Sequence, residues 1–412
     1  MKIYDVCIIG AGASGLMAAS YLSKSDLSIL VLEGTKEVGK KLSLTGNGRC
    51  NITNENIRSS CFFSSDDSFV SNIFEKVPNE RLLEELKKLS ISVKNVNGYY
   101  YPYSFSAKSV VKAFSYSFLK DNVELRLESK VREIKYENET FYLYGERSSK
   151  EEERPLLATA KKLILSCGGE SYPKTGSDGA GYKLLYRLGH SLNKTLPALC
   201  PLKVSSFDKN LSGLRQIAKN SLYIDGRLVR ESEGEVQFTK EGLSGICIFE
   251  LSSPAIRAMD SSKKVEIKVD YLPDFSEDDL RDELSNRFNQ ERSVFDSLST
   301  LMPDKLLNHV VSVARVSGDM SASKLSENEI EAIYNAIKVD SFVIEGNDGF
   351  KAAQTTSGGV NLDEIDENMM SKLIPNLYVT GELLDVDGIC GGYNLYLAFS
   401  TAIIATDRIM NK

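Results

Sequence analysis

The residues best suited to chemistry stand at the two ends of the chain. Gly10, Gly12 and Gly15 follow an apolar run in G-x-G-x-x-G spacing, and Glu33 closes the next apolar run. Dinucleotide binding needs this set. One glycine makes the tight turn, a second lets the backbone approach a pyrophosphate, and a third packs helix closely on strand. The backbone N–H groups of Ala13 and Ser14 would meet the phosphates at the positive end of that helix. Glu33 would accept hydrogen bonds from the adenosine ribose. An acid there disfavours a 2′-phosphate, so FAD or NAD is expected rather than NADP.

Two further stretches separate FAD from NAD. Lys40-Lys41 leads through Gly46, Gly48, Arg49 and Cys50 to Asn51. Small residues beside cations make a loop that can lie along a bulky anionic cofactor. At the far end, Gly381-Glu382 follows an apolar run, and Gly391-Gly392 opens a long apolar helix beginning Tyr393-Asn394-Leu395. In an FAD protein that helix start would face the flavin pyrimidine edge, where its N–H groups stabilise the negative charge that develops on reduction.

The elements that must hold these residues read as follows. Tyr4 to Ile9 is a strand, Leu16 to Ser23 a helix and Leu27 to Leu32 a second buried strand, a βαβ opening that implies a parallel sheet. Residues 123–166 read as an antiparallel meander, with strands at Val123–Glu128, Val131–Lys135, Thr140–Tyr144 and Leu163–Ser166, and with Ser148–Glu153 as a solvated loop tip. Strand-like segments dominate 191–273, where Asp225-Gly226 signals a hairpin. A helical insert follows, with Ser276 as a cap and Ser326 with Glu329 as a capping box. Residues 376–380 return to a strand, and the last helix ends near Asn411. No internal repeat is present.

Composition narrows the function classes. The 412 residues carry 50 Lys and Arg against 57 Asp and Glu, a net charge of −7. Such a surface repels polyanions and argues against nucleic acid as the main partner. No apolar run reaches the ~18 residues of a membrane span, and no leader segment precedes the first strand, so a cytoplasmic protein without a membrane partner is expected. Of the seven cysteines the closest two are Cys50 and Cys61, so no C-x-x-C exists for a redox disulfide or zinc. With only His190 and His309, no metal site is expected and no catalytic acid or base can be named.

The chain resembles the BaiN-like flavoproteins, NAD(P)/FAD-dependent oxidoreductases that include bile-acid reductase-like members and aminoacetone oxidase relatives. The resemblance spans the chain. It rests on Gly10–Gly15, Lys40–Asn51, Tyr101-Pro102, Cys167–Ser177, Gly242–Gly245, Gly358-Gly359-Val360, and Gly381–Asp385 with Gly391–Asn394. It implies an α/β protein: a Rossmann-like FAD-binding domain (1–190 and 355–412), an inserted β-rich, barrel-like substrate-side domain (191–274 and 336–354) and a small helical domain (275–335). It also implies that Lys40, Lys41, Gly46, Gly48, Arg49 and Cys50 lie along the flavin and that the Val131 backbone meets the adenine. Gly168 and Gly169 would form the glycine-rich strand end, and Glu382, Gly392, Tyr393, Asn394 and Leu395 would contact the ribityl chain and ring. Where many relatives have a His or aromatic-flanked variant, this chain has Phe238-Thr239-Lys240-Glu241-Gly242.

Several features admit plainer readings. Thr175–Gly181 looks like a second nucleotide loop but lacks an acid after its strand. Cys50 and Cys390 read as small packing residues, His190 as a helix C-cap, and Tyr99–Tyr103 as either an aromatic lid or core packing. Three activities stay open. One is NAD(P)H-linked, FAD-dependent reduction of a small or steroid-like unsaturated carbonyl through flavin N5. The second is an amine oxidase using O₂, and the third a flavin-binding regulatory or structural protein.

Overall fold

The structure is a computed structural model that describes residues 2–118, 120–146 and 153–411. It divides into two compact units, residues 1–197 with 353–412 and residues 198–352. The expected loop tip at Ser148–Glu153 falls almost wholly outside the described residues.

The first unit is built on strand β1 (Ile3–Ile9), helix α1 (Ala13–Leu22) and strand β2 (Ile29–Leu32). β1 pairs in parallel with β2 on one side, Val6 opposite Ile29, and with Leu156–Leu165 on the other. Leu377–Val379 extends the sheet in parallel beyond Leu163–Leu165. These central strands are apolar almost throughout, as strands covered on both faces must be. α1 is buried from Ser14 to Leu22 and packs on the last helix, Tyr393–Ile409.

The meander is smaller than its sequence suggests. Glu133–Glu137, Thr140–Tyr144 and Leu156–Leu165 do form antiparallel pairs. Val123–Arg126, however, pairs in parallel with β2 at the sheet edge. The cause is the helix Ala107–Ser117 just before it, a crossover that returns the chain in the direction of β2. Val131 precedes a strand that begins at Glu133. Leu192–Ala198 pairs with Thr355–Val360 in a two-stranded sheet.

The second unit is a closed six-strand barrel with a helical insert ahead of its last strand. The strands run in the order Leu202–Val204, Gly242–Ser244, Arg227–Phe238, Arg215–Ile224, Val265–Asp270 and Asp340–Asn347. Asp225 and Gly226, with φ of 49° and 79°, make the left-handed two-residue turn expected from their types. The helices Glu277–Phe288, Val294–Leu298, Asp304–Ala314 and Glu327–Lys338 lie between the last two barrel strands. Ser276 and Ser326 cap the first and last of them, the latter in a full capping box with Glu329.

Candidate functional site

The three motif glycines are held for different reasons. A Cβ on Gly15 would lie 1.8 Å from the Gly10 carbonyl oxygen, and one on Gly10 would lie 2.5 Å from that of Ser166. Both are demanded by packing of the turn on its own sheet. A Cβ on Gly12 would meet nothing within 4 Å, and its φ of −78° suits any residue. The protein itself has no need of a glycine there. A side chain there would fill the open cradle in front of the helix. α1 has no side-chain cap, which leaves its first N–H groups for a ligand. The Ser14 hydroxyl donates to Thr380 Oγ1 at 2.8 Å, tying this turn to the strand that delivers Gly381.

Glu33 organises the next portion. Its carboxylate accepts from the Ala11 N–H and the Thr35 N–H, both at 2.8 Å, and so fixes the glycine turn against the end of β2. Ser129 N–H donates to the Glu33 carbonyl and Glu128 N–H to that of Thr35, which brings the buried Val131 into the same neighbourhood. The loop around Gly176 folds onto this corner, with a Gly176 Cβ position 2.9 Å from Thr35 Cγ2 and 3.9 Å from Glu33 Oε1. Lys40 Nζ donates to the Lys174 carbonyl at 2.9 Å, and Lys130 pairs with Asp178. Thr175–Gly181 is thus a wall beside Glu33.

A half-buried ionic cluster joins four separate stretches. Lys41 Nζ lies 2.7 Å from Glu382 Oε2 and 2.6 Å from Ser171 Oγ. Ser171 Oγ donates to Glu382 Oε1 at 2.7 Å, and Thr356 N–H donates to the same oxygen at 2.8 Å. Burial raises the Glu382 carboxyl, but Lys41 and these donors outweigh it and hold it below the usual range. The approach is so close that a Cβ on Gly169 would lie 2.8 Å from Glu382 Oε1 and 2.4 Å from Thr356 Oγ1. Gly168 has φ of 72°. Ser171 and Thr356 escaped the sequence reading of the site, although Ser171 stands in the Cys167–Ser177 stretch. Tyr182 did too, and its hydroxyl donates to the Glu382 carbonyl at 2.8 Å.

The third portion brings 51–56 onto 391–394. Gly46, Asn47, Gly48 and Cys50 all have left-handed backbone, so the loop curls tightly and leaves Arg49 exposed. Asn51 Oδ1, directly after it, is shut off from solvent with no hydrogen-bond partner among the described residues. Asn54 Nδ2 donates to the Gly391 carbonyl at 3.1 Å, and a Cβ on Gly392 would strike the Thr53 carbonyl oxygen at 2.7 Å. Tyr393 OH donates to Asn56 O, and the Asn394 amide spans the Gly388 N–H and carbonyl. Leu395 is half-buried. The helix from Tyr393 also lacks a side-chain cap. Cys50 is buried, which pushes its thiol up to about 12 and keeps it protonated at neutral pH.

Both histidines lie elsewhere. His190 follows the helix Ala180–Arg187, its N–H capping the Leu185 carbonyl, while its ring bridges Glu364 and Ser371. His309 sits between Asp208 on Nδ1 and Asp340 on Nε2, each at 2.9 Å, and Tyr271 OH donates to Asp340 at 2.5 Å. Lys240 is exposed on its loop in the second unit. Among the described residues no helix is long and apolar enough to cross a membrane, and no three His, Cys, Asp or Glu residues are grouped to hold a metal ion.

These residues fit FAD: the Gly12 cradle, the uncapped helix starts and the orphaned Asn51 oxygen all lie in the first unit, on the stretches expected to touch it. Comparison with known proteins agrees. The chain is 32% identical over 404 residues to a 3-dehydro-bile acid delta(4,6)-reductase of Clostridium scindens, covering 97% of each. It is 26% identical to a ribosomal RNA dihydrouridine synthase of Escherichia coli, covering 100% of each. Among solved structures, 3-ketosteroid delta1-dehydrogenase from Sterolibacterium denitrificans shares the fold, with a TM-score of 0.53 at 12% identity over 100% of both chains. The protein is an FAD-dependent oxidoreductase. A family model for the HI0933-like protein Rossmann domain matches residues 4–408, and the chain belongs to that family.

Proposed function

We propose that the protein reduces a carbon–carbon double bond conjugated to a carbonyl in a small or steroid-like substrate, with NAD(P)H as the electron donor. One observation carries this reading. Full-length relatives are named for different substrates, a 3-dehydro-bile acid and ribosomal RNA, yet a 3-oxo-4-ene and the C5=C6 bond of uracil each present a carbon–carbon double bond conjugated to a carbonyl. The net charge of −7 favours the small molecule over RNA, whose phosphates such a surface repels.

FAD would supply the two-electron step at its N5, carrying an electron pair from NAD(P)H to the carbon β to the carbonyl. The chain's part is to bind and orient. Gly12 would leave room for the pyrophosphate, Gly10 and Gly15 keep the turn tight against its sheet, and the Ala13 and Ser14 N–H groups would hold the phosphates. Glu33 would hold the ribose with a carboxylate already locked by two backbone donors, and the Val131 backbone would line the adenine. Lys40, Lys41, Gly46, Gly48, Arg49 and Cys50 would lie along the cofactor, with Gly168 and Gly169 as the glycine-rich strand end and Glu382 as a contact of the ribityl chain. The helix start at Gly392, Tyr393, Asn394 and Leu395 would offer its positive end to the pyrimidine edge. The Lys41 ammonium, already committed to Glu382 and Ser171, supplies fixed positive charge.

Anaerobic mixing of the yellow holoprotein tests the reading. The flavin band should bleach with NAD(P)H and return on adding a conjugated enone, with the saturated ketone as product. Bleaching by an amine instead, with peroxide formed on admitting air, would overturn it in favour of an amine oxidase. No bleaching by either would leave a flavin-binding protein without turnover.

A further inference from the structure

His309 takes no part in the candidate site, and it stands where the helical insert joins the barrel of the second unit. The chain leaves the barrel at Tyr271, directly after the strand Val265–Asp270, and re-enters it at Asp340, which opens the strand Asp340–Asn347. These two crossings are tied to each other: the Tyr271 N–H donates to the Ile337 carbonyl, and Lys338 Nζ pairs with Asp270 at 2.5 Å. The insert helix Asp304–Ala314 brings His309 to the same place. Its Nε2 lies 2.9 Å from Asp340 Oδ2, the oxygen that also accepts from Tyr271 OH. Its Nδ1 lies 2.9 Å from Asp208 Oδ2, which caps the barrel-side turn Lys209–Leu211. The ring also stacks on Phe342 of the re-entering strand. One side chain thus fastens the middle of the insert to the barrel strand on one side and to that turn on the other.

The arrangement has a chemical requirement. A neutral imidazole has one N–H and one lone pair, whereas the imidazolium has two N–H donors. Between two carboxylates the neutral ring satisfies one and turns its lone pair on the other. Burial acts to lower the pKa of His309, but Asp340 and Asp208 outweigh it and hold it above the usual value. The titratable groups that face the ring are those two carboxyls and, through Asp340, the Tyr271 phenol. The cations nearby are committed elsewhere: Lys305, one turn earlier on the same helix, donates to the Ser212 carbonyl, and Lys338, closing the helix Glu327–Lys338, holds Asp270.

We propose that His309 is a proton-dependent pin: protonated, it holds the helix Asp304–Ala314 to both the barrel strand and the turn Lys209–Leu211, and on losing its proton it lets go of one, so the insert loosens on the barrel as pH rises. Asp208 is the side released. Its side chain is 27% exposed and can turn to water, whereas that of Asp340 is 6% exposed and cannot. The neutral ring therefore keeps its proton on Nε2, facing Asp340, and presents a bare Nδ1 to Asp208.

The test is amide hydrogen exchange of the FAD-loaded protein, read by mass spectrometry at about pH 6 and about pH 9 and corrected for the intrinsic pH dependence of exchange. In wild type, protection of 304–314 and 209–212 should fall about tenfold at the higher pH, the effect of one lost charge-assisted hydrogen bond, while that of the barrel strands Arg215–Ile224 and Arg227–Phe238 stays within about twofold. His309→Gln should be weakly protected in the same segments at both pH values. Asp208→Asn separates the proton from mere packing. Its Oδ1 can still accept from the Asn210 N–H, and its new amide can donate to a neutral Nδ1, so protection should stay high at both pH values. If His309→Gln fails to fold, Asp208→Asn decides alone. Wild-type protection that is the same at both pH values overturns the proposal. So does a loss shared equally by the barrel strands, or an Asp208→Asn variant that still loosens as pH rises.

Discussion

Gly12 and Gly15 belong to one motif, yet replacing each by alanine should have opposite consequences. At Gly12 the added methyl meets nothing within 4 Å of protein, and the backbone at φ −78° accepts it. Alanine restricts the unfolded chain but is a poorer helix cap than glycine, so the apoprotein's stability should change by no more than about 1 kcal/mol either way. The methyl then stands where the cofactor must pass. Overpacking of that kind costs about 1–3 kcal/mol, or about 5- to 150-fold in the Kd for FAD. At Gly15 the methyl would lie 1.8 Å from a backbone oxygen and 2.7 Å from Ser166 Oγ. Relief requires the helix to leave its strand, so Gly15→Ala should lose about 3 kcal/mol of apoprotein stability. Denaturant unfolding of flavin-free protein gives the stabilities, and flavin fluorescence titration gives the Kd. A Gly12→Ala variant that keeps wild-type affinity for FAD would refute the reasoning, as would one that unfolds as readily as Gly15→Ala.

Three other outcomes follow from the same structure. Lys41→Met leaves the Glu382 carboxylate without its cation; with both side chains about one-fifth exposed, a loss of about 1–3 kcal/mol is expected, and adding Glu382→Gln should recover part of it in a double-mutant cycle. Glu33→Ala removes the acceptor of two backbone N–H groups as well as the ribose partner, so FAD should be lost on dialysis and the apoprotein destabilised by about 2–3 kcal/mol; unchanged flavin content would contradict the ribose role. For His309, burial acts to lower the pKa, but Asp340 and Asp208 outweigh it and hold it above the usual 6.5. A raised folded pKa means the stabilisation is complete below 6.5 and fades as pH rises through the folded value, so thermal stability should decline in that direction in wild type and more weakly in His309→Gln.

What the sequence disclosed was local, and what it concealed was set by partners far along the chain. The β1–α1–β2 unit is written in neighbouring residues: apolar runs, glycines where backbone must approach backbone, an acid at the strand end. The Asp225-Gly226 hairpin and the Ser276 and Ser326 caps are local in the same way, since each depends on the conformations its own residues prefer. Val123–Arg126 shows the limit. Its residues are those of a strand, but its direction is dictated by the helix before it, and no periodicity within four residues carries that information. The site divides similarly. Gly12 was singled out from spacing alone, and the fold leaves the space before it open, whereas Ser171 and Thr356 became visible only when Lys41 and Glu382 were brought between them.

Gly169 joins the two kinds of information. Read in sequence, it is one more glycine in a glycine-rich stretch, with nothing to set it apart from Gly168. In the fold its missing side chain is what admits the Glu382 carboxylate and the Thr356 hydroxyl at once. That implies a sharp distinction from Gly12. Gly169→Ala would press on Glu382 at 2.8 Å and Thr356 at 2.4 Å, force the carboxylate from Lys41 and Ser171, and leave a mostly buried charge short of partners. The variant should therefore lose apoprotein stability and FAD together, with a Lys41–Glu382 coupling energy smaller than in wild type. If it lost FAD while that coupling stayed whole, Gly169 would be serving the cofactor directly, and the ionic cluster would be independent of it.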